Sequence, residues 1–399
     1  MFSSLSIKNF RIYWLGMLVS LVGTWIQILA QSWLVFQLTN SAFLLGLVGF
    51  LSSIPIFLLS LFGGVVADRI NKKTVLLFTQ TAFMFLAFIL AILTQMKLIT
   101  TWQIMLIAVS NGIVMAFDAP SRQAVVVELV GKRHLLNAIA LNSAAFNSAR
   151  IIGPALAGIL IASIGMSGCF YINGISFLAV IAALLLIKIN DGPRREIKIP
   201  LITDLIEGLD FIKKNRAIVI LISMVGITSL FGISYIILMP VFANSILNVG
   251  AKGLATLMSA AGLGALIAAL VLARLGDFKH KGKLLILSSI IFSISLILFA
   301  LSKIFLFSLI NLILIGWSSV TITSLINTLL QTLVPDEFRG RLMSIFMLTF
   351  AGFMPFGSLI SGVFAHIWGV SLAVLVGGII CAAFFILINI LYTDIRNMC

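Results

Sequence analysis

Two ionisable residues lie inside long apolar segments of this 399-residue chain and are spaced as a pair. Asp118 and Arg150 lie in consecutive segments, each 16 residues from His134 in the charged turn between them. In an antiparallel helical hairpin, equal distance from the turn places two side chains at equal depth. Because an unpaired charge in apolar surroundings is costly, we expect an Asp118–Arg150 ion pair. Arg122, one helical turn after Asp118, could share it.

This pair supports two hypotheses. Asp118 could release and regain a proton, or change partners, during a functional cycle; alternatively, the pair could be a static structural contact. Asp118 and Arg150 lie at equal depth only if the helix is unbroken across Pro120. No Asp or Glu other than Asp118 lies in the core of an apolar segment. This argues against a site for multiply cationic ligands and makes Arg150 and Arg122 possible partners for an anion.

Uncharged polar side chains within the apolar segments are candidates to line a cavity. They are Thr24, Gln27, Gln31, Asn111, Asn147, Asn311 and Asn327. The first three follow the spacing i, i+3, i+7 and share one helix face. Polar groups that face lipid are costly, so we expect all seven to face the protein interior. They could contact a ligand or only form hydrogen bonds between helices.

The residue patterns of enzyme sites are missing from the sequence. It contains no metal-binding cluster, nucleophile–base pair or nucleotide-binding loop, and its three histidines, His134, His280 and His366, are scattered near segment ends. We therefore predict no enzymatic activity, no metal and no cofactor. Energy for any work would come from an ion gradient or from the gradient of a ligand.

A glycine-and-charge motif follows the second apolar segment and reads Gly64-Val-Val-Ala-Asp68-Arg69-Ile-Asn71-Lys72-Lys73. It resembles the cytoplasmic loop signature of the major facilitator superfamily, with Asn71 in place of the usual glycine. We attribute this exchange to the tolerance of asparagine for a left-handed backbone. The resemblance implies that Asp68 caps the eleventh helix, expected after Arg339 and Arg341, in one state only, as a latch. The alternative is a charged loop that only sets topology.

Longer segments resemble one bacterial exporter branch of this superfamily, which contains enterobactin exporters, macrolide efflux pumps and transmembrane secretion effectors. They include "NAIALNSAAFNSARIIGPALAG" and "QTLVPDEFRGRLMS". The resemblance implies a secondary transporter that exports an amphipathic small molecule, such as a siderophore, a macrolide or another drug, by alternating access and proton antiport. Alternatives are a carrier of lysophospholipid or other lipid, and a non-transporting membrane sensor or scaffold.

A fifth-segment motif, Gly153, Pro154 and Gly158, resembles one associated with antiporters. Its glycines would allow close approach of helices, and its proline would let the helix bend. The alternative is generic packing of small residues.

The composition shows which elements must position these residues. Hydrophobic residues make up 61% of the chain and charged residues 10%, which excludes a soluble enzyme, a disulfide-rich scaffold and a disordered chain. The apolar runs are continuous, unlike the alternating strands of a β-barrel. Segments of spanning length fall at about 13–36, 42–66, 75–96, 102–122, 137–162, 168–188, 217–246, 253–273, 284–302, 304–330, 343–366 and 370–392.

These segments predict an all-α integral membrane protein with twelve transmembrane helices in two parallel six-helix repeats, the major facilitator fold. Gly153, Gly158 and Gly165 match Gly357, Gly362 and Gly369 at an offset of 204 residues. We expect an N-terminal bundle at 1–190, a cytoplasmic linker with an amphipathic helix at 191–216, and a C-terminal bundle at 217–399.

The basic residues predict the orientation. With a cytoplasmic N-terminus, 22 of the 26 Lys and Arg residues fall in cytoplasmic segments, whereas Lys97, Lys252 and Lys303 lie opposite and Arg150 lies inside a span. This predicts a multi-pass protein of the cytoplasmic (inner) membrane with both termini cytoplasmic. The net charge of +14 thus reflects topology rather than nucleic-acid binding. The partners we expect are the lipid bilayer, a small-molecule substrate and protons as coupling ion, for a monomer.

Overall fold

The computed structural model describes residues 3–187, 210, 212–213, 215–276, 278–392 and 396, and these ranges contain no β-strand. Apolar sequence makes the helices, because a backbone in lipid must satisfy its own hydrogen bonds. Eleven apolar stretches are long enough to cross a membrane, and one of them, Arg133–Leu186, holds two helices. The predicted all-α membrane fold is therefore confirmed, with twelve spans in the described residues.

The helices are numbered in chain order. They are α1 (Lys8–Thr39), α2 (Ala42–Arg69), α3 (Lys72–Gln95), α4 (101–130), α5 (132–164), α6 (166–186), α7 (Arg216–Ile246), α8 (Gly250–Leu275), α9 (Lys281–Leu301), α10 (Phe305–Leu333), α11 (Asp336–Trp368) and α12 (Val370–Leu391).

Single glycines separate α4, α5 and α6 within the stretch Thr101–Leu186. Gly131 and Gly165 have φ values of 65° and 74°, a region that glycine enters at little cost. Gly369, between α11 and α12, has a φ of 87°. Gly165 and Gly369 are partners in the repeat, so the same backbone break closes the fifth helix of each half.

The chain divides into two compact units. One holds the described residues of 1–40, 51–196 and 251–259, and the other holds those of 41–50, 197–250 and 260–399. Each unit therefore includes the first turns of a helix from the opposite half of the sequence: α8 in the first unit and α2 in the second. The boundaries 1–190, 191–216 and 217–399 remain predictions, and 191–209 of the linker lies outside the described residues.

The repeated glycines make equivalent contacts in the two units. A β-carbon on Gly153 would lie 2.3 Å from a side chain of α1, and one on Gly357 would lie 2.4 Å from a backbone oxygen of α7. One on Gly158 would lie 2.5 Å from α8, and one on Gly362 would lie 2.8 Å from the backbone of α2. Glycine at these four positions lets pairs of helices pack closely.

The core of the first unit lies at the end where α1 begins. Its buried residues lie on α1, α3, α4, α5 and α6, and one residue follows α6 directly. They are Phe10, Tyr13, Met17, Leu76, Val125, Val126, Val130, Ala138, Leu141, Val180, Leu184 and Ile187. This cluster fixes the relative positions of α1, α3 and α4, which carry the candidate site.

The fourth helix continues through Pro120. A proline cannot donate to the carbonyl four residues earlier, which here belongs to Ala116. That oxygen is approached by Gly63 of α2, on which a β-carbon would lie only 2.0 Å away. A Cα–H···O contact can therefore partly replace the lost hydrogen bond.

The eleventh helix begins earlier than predicted. It starts at Asp336, so Arg339 and Arg341 lie in its first two turns rather than before it. Pro335 stands at its N-cap position, and the sequence continues with Asp336 and Glu337, acids that favour the start of a helix. The expectation of a start after Arg341 was wrong because it counted only apolar residues.

Candidate functional site

Asp118 is completely buried in α4, where four hydrogen bonds satisfy its carboxylate. From α3, the Thr79 hydroxyl and the Gln80 amide each donate to Oδ1 at 2.7 Å. Arg122 donates to Oδ2 through Nε at 2.9 Å and Nη2 at 2.5 Å. Its Nη1 lies 2.8 Å from the sulfur of Met17 on α1. The cluster, called the Asp118 cluster below, links α1, α3 and α4.

The expected Asp118–Arg150 pair does not form, and Arg122 is the ion partner of Asp118. The helical hairpin turns at Gly131 rather than at 134. Arg150 is therefore 19 residues beyond the turn and Asp118 is 13 before it. The difference of six residues corresponds to about 9 Å of depth. The i,i+4 spacing instead holds Arg122 against Asp118 on one face of α4.

Three buried oxygen atoms in or beside the Asp118 cluster have no hydrogen-bond partner: the Tyr13 hydroxyl, the Gln80 carbonyl oxygen and the Ser121 hydroxyl. Tyr13 lies one turn before Met17, and Ser121 lies next to Arg122 in the chain. Buried polar groups are nearly always satisfied, so these oxygens provide capacity for a different hydrogen-bond arrangement.

Sequence reasoning missed Thr79 and Gln80. The available signal was the run Thr79-Gln80-Thr81, three polar residues inside the third apolar segment. A polar run in such a segment indicates a buried polar partner elsewhere in the bundle.

Arg150 has different surroundings from Arg122. It is partly exposed in the middle of α5, and within the described part of the chain it has neither an ion pair nor a hydrogen bond. Arg150 lies at the position along α5 where the exposed side of the helix changes from one face to the opposite face.

Before Arg150, the helix face that carries it is open. Ile139 and Phe146 are 53% and 47% exposed, and Ser143 is also exposed. After Arg150, the same face is closed by the buried residues Gly153 and Ala157. The opposite face follows the reverse pattern: Ala138, Leu141 and Ala145 are buried, whereas Ile152, Leu156 and Ile159 are exposed. Arg150 therefore ends an open face that begins at the N-terminal end of α5.

Aromatic and amide groups flank Arg150. The rings of Phe146 and Trp25 of α1 meet edge to face with centroids 5.7 Å apart. The Asn147 amide is buried and donates to the Ser143 carbonyl at 2.8 Å. The surroundings combine a cation, an aromatic surface and polar groups.

The basic residues of the loop motif attach α3 to neighbouring helices. Lys72 forms an ion pair with Glu128 of α4, and Lys73 donates to the Ile187 carbonyl at the end of α6 at 2.9 Å. Glu128 was absent from the sequence-based candidates because the fourth segment was ended at 122. Arg69 is exposed, and the side chain of Asp68 lies outside the described part of the structure.

Asn71 differs from the expectation for it, and Gly64 makes no close contact. Asn71 has a φ of −55°, so it is not left-handed; it caps α3 by accepting a hydrogen bond from the Thr74 amide at 3.1 Å. A β-carbon on Gly64 would meet no atom within 4 Å, whereas its neighbour Gly63 makes the close contact with α4. At the far end of the predicted latch, Arg339 is exposed and Arg341 lies over the Phe338 ring at 5.5 Å.

The seven uncharged polar candidates divide into three groups. Gln27 accepts a hydrogen bond from Asn173 of α6 at 2.7 Å. Among the described residues, this is the one hydrogen bond that joins any of the seven candidates to another helix. The others with partners bond within their own helices: Thr24 to Ser20, Asn147 to Ser143, Asn311 to Phe307, and Asn327 to Gln331. Gln31 and Asn111 are partly exposed.

In the fifth helix, Pro154 is buried and α5 continues through it. Gly153 and Gly158 make the close contacts with α1 and α8 described above. Among the described residues, no group of three or more His, Cys, Asp or Glu could hold a metal ion.

Comparison with known proteins places these features in a family. A family model described as transmembrane secretion effector matches residues 1–397. A staphyloferrin A transporter from Staphylococcus aureus is 29% identical over 88% of this chain and 87% of its own length. The enterobactin exporter EntS of Shigella flexneri is 24% identical over 84% and 79%. Macrolide efflux protein A of Streptococcus pyogenes is 24% identical over 94% of both.

Solved structures show the same fold at lower identity. A bacterial homologue of the human lysosomal transporter Spinster, in an inward-facing conformation, superposes with a TM-score of 0.76 at 12% identity over 97% of this chain and 98% of its own. The nucleoside transporter NupG gives a TM-score of 0.71 at 16% identity over 96% and 98%.

Proposed function

Because the chain belongs to the transmembrane secretion effector family of the major facilitator superfamily, we propose that it exports an amphipathic small molecule of the siderophore or macrolide type. The observation that carries this proposal is the family match over residues 1–397. Relatives named as siderophore or macrolide transporters cover most of the chain and support the substrate class.

We propose that the protein lies in the cytoplasmic membrane with both termini inside and acts as a monomer. The prediction that 22 of the 26 Lys and Arg residues lie on one side of the membrane supports this orientation. Transporters built from two parallel repeats bind substrate near the bilayer midplane and expose it to each side in turn. The equivalent contacts of Gly153 and Gly357 support such a repeat here.

We propose protons as the coupling ion and Asp118 as the group that binds them. Its carboxylate oxygens lie within hydrogen-bond distance of Thr79, Gln80 and Arg122, so a proton on Asp118 would change these contacts. A protonated Asp118 would release Arg122 and need an acceptor for its new hydrogen. Rotation of the Gln80 amide would supply one, because its carbonyl oxygen has no partner. The alternative is a static ion pair, which an Asp118→Asn variant distinguishes by its response to a pH gradient.

Export can be tested in bacterial cells that lack their own drug and siderophore exporters. Cells that express the chain should accumulate less radiolabelled erythromycin or less of a catecholate or citrate-based siderophore. The control is the Gly158→Leu variant, in which a side chain would separate α5 from α8. Equal accumulation of every compound with wild type, variant and empty vector would contradict export of this substrate class.

A further inference from the structure

Two arginines of the first unit, Arg122 of α4 and Arg150 of α5, differ in their hydrogen bonding. Arg122 donates three hydrogen bonds, two to Asp118 and one to Met17. Arg150 donates none within the described structure, although its guanidinium offers five N–H groups. Of these two cations, Arg150 is the one available to a ligand.

The position of Arg150 along α5 argues against a side chain that faces lipid. Arg150 is 18 residues from the first residue of α5 and 14 from the last, so it lies within about 3 Å of the middle of the helix. The hydrocarbon core of a bilayer is about 30 Å thick, so an arginine at the middle of a helix that spans it centrally cannot reach either interface with its side chain. A charge held in hydrocarbon is costly, and we therefore expect the open face that leads to Arg150 to be accessible to water.

The residues on this face favour a particular kind of ligand. Phe146 is exposed and pairs with Trp25, which provides an aromatic surface one turn before Arg150. Beyond Arg150, Gly153 and Ala157 close the face, so a molecule entering along it meets the cation last. A guanidinium recognises carboxylate by paired hydrogen bonds, and aromatic rings bind the apolar part of a molecule.

We infer that Arg150 binds the carboxylate of an amphipathic substrate whose apolar part lies against Phe146 and Trp25. The inference rests on the proposed export function and narrows it to substrates that carry a carboxylate group. Arg150 is then a specificity-determining residue, whereas Arg122 is paired with Asp118 in the described structure.

Pairs of probes that differ only in charge test this assignment. Isothermal titration calorimetry on the full-length protein in nanodiscs would compare 2-naphthoate with 2-naphthamide and 4-biphenylcarboxylate with its amide. The wild type should bind each acid at least about tenfold more tightly than its amide. Arg150→Gln should remove this preference. Arg133→Gln is the matched control because it makes the same change at an exposed position in the first turn of α5.

The outcomes separate the inference from the proposed function. Equal binding of acid and amide, binding of neither acid, or an unchanged preference in Arg150→Gln overturns the role of Arg150. If Arg150→Gln does not fold, Arg150→Lys decides: a preference reduced at least about threefold supports paired recognition, and an unchanged preference overturns it. Failure of wild-type cells to export any compound counts against the proposed function, which the binding measurement does not address.

Discussion

At the scale of single residues, Arg122 and Arg150 show how surroundings decide what a guanidinium can do. Arg122 faces a buried carboxylate on its own helix, so its charge is neutralised and its geometry fixed. Arg150 ends an open helix face with no acid beside it in the described structure. A pair with a buried carboxylate is costly to break, whereas a cation without an ion partner at the end of an open face can bind an anion.

Replacement of Asp118 by asparagine tests its proposed role in coupling. The variant removes the negative charge and leaves Arg122, whose side chain is 22% exposed, without a counter-ion, so the free energy of unfolding should fall by about 1–3 kcal/mol. If Asp118 binds the coupling proton, Asp118→Asn should also lose the acceleration of transport by a pH gradient, measured in proteoliposomes.

The matched control is Glu128→Gln, the same acid-to-amide change on α4 at an ion-paired residue that is 19% exposed. Its transport should still respond to the pH gradient. A fully pH-driven Asp118→Asn variant would make the Asp118–Arg122 pair structural and end the proton-binding proposal.

The Asp118 cluster also shows what could be predicted from sequence at this scale. A lone acid in an apolar run signals a buried, partnered group, and the i,i+4 arginine was visible as a partner. The choice of Arg150 as first partner failed because it depended on the position of the turn. A shift of the turn from 134 to Gly131 changes the matching residue on the other helix by twice that amount.

At the scale of helices, contact between α2 and α4 depends on one glycine of an adjacent pair. Gly63 lies against the Ala116 carbonyl, the oxygen that Pro120 leaves without its helical donor. Gly64 points into open space. The loop signature that this chain resembles begins at Gly64 and does not include Gly63. A sequence signature does not show which glycine of an adjacent pair contacts another helix.

Alanine substitutions of the two glycines should have opposite effects. In Gly63→Ala the added carbon would lie 2.0 Å from backbone, which rotation of a side chain cannot relieve. We expect a loss of about 1–3 kcal/mol in stability as the helices separate. Gly64→Ala should be neutral or stabilise by up to about 1 kcal/mol through helix propensity. Thermal unfolding in detergent measures both, and a Gly63→Ala variant as stable as wild type would contradict the contact.

At the scale of the whole molecule, the twelve spans and their repeat could be predicted because lipid imposes length and apolarity on every span. Helix ends were less predictable. The eleventh helix begins at Asp336, before the predicted start, and α4 continues beyond 122 as far as Gly131, although neither added stretch is apolar throughout. The residues 251–259 of α8 that belong to the first unit could not be found from sequence, because that grouping depends on tertiary contacts.

Direction of transport in membrane vesicles tests the central claim most directly. Inside-out vesicles from cells that express the chain would be acidified inside and supplied with radiolabelled siderophore or macrolide. The proposed export and orientation predict uptake into these vesicles, loss of that uptake when the pH gradient is collapsed, and no uptake into right-side-out vesicles. Uptake into right-side-out vesicles alone, or into neither kind for every compound, would contradict a proton-driven exporter with cytoplasmic termini.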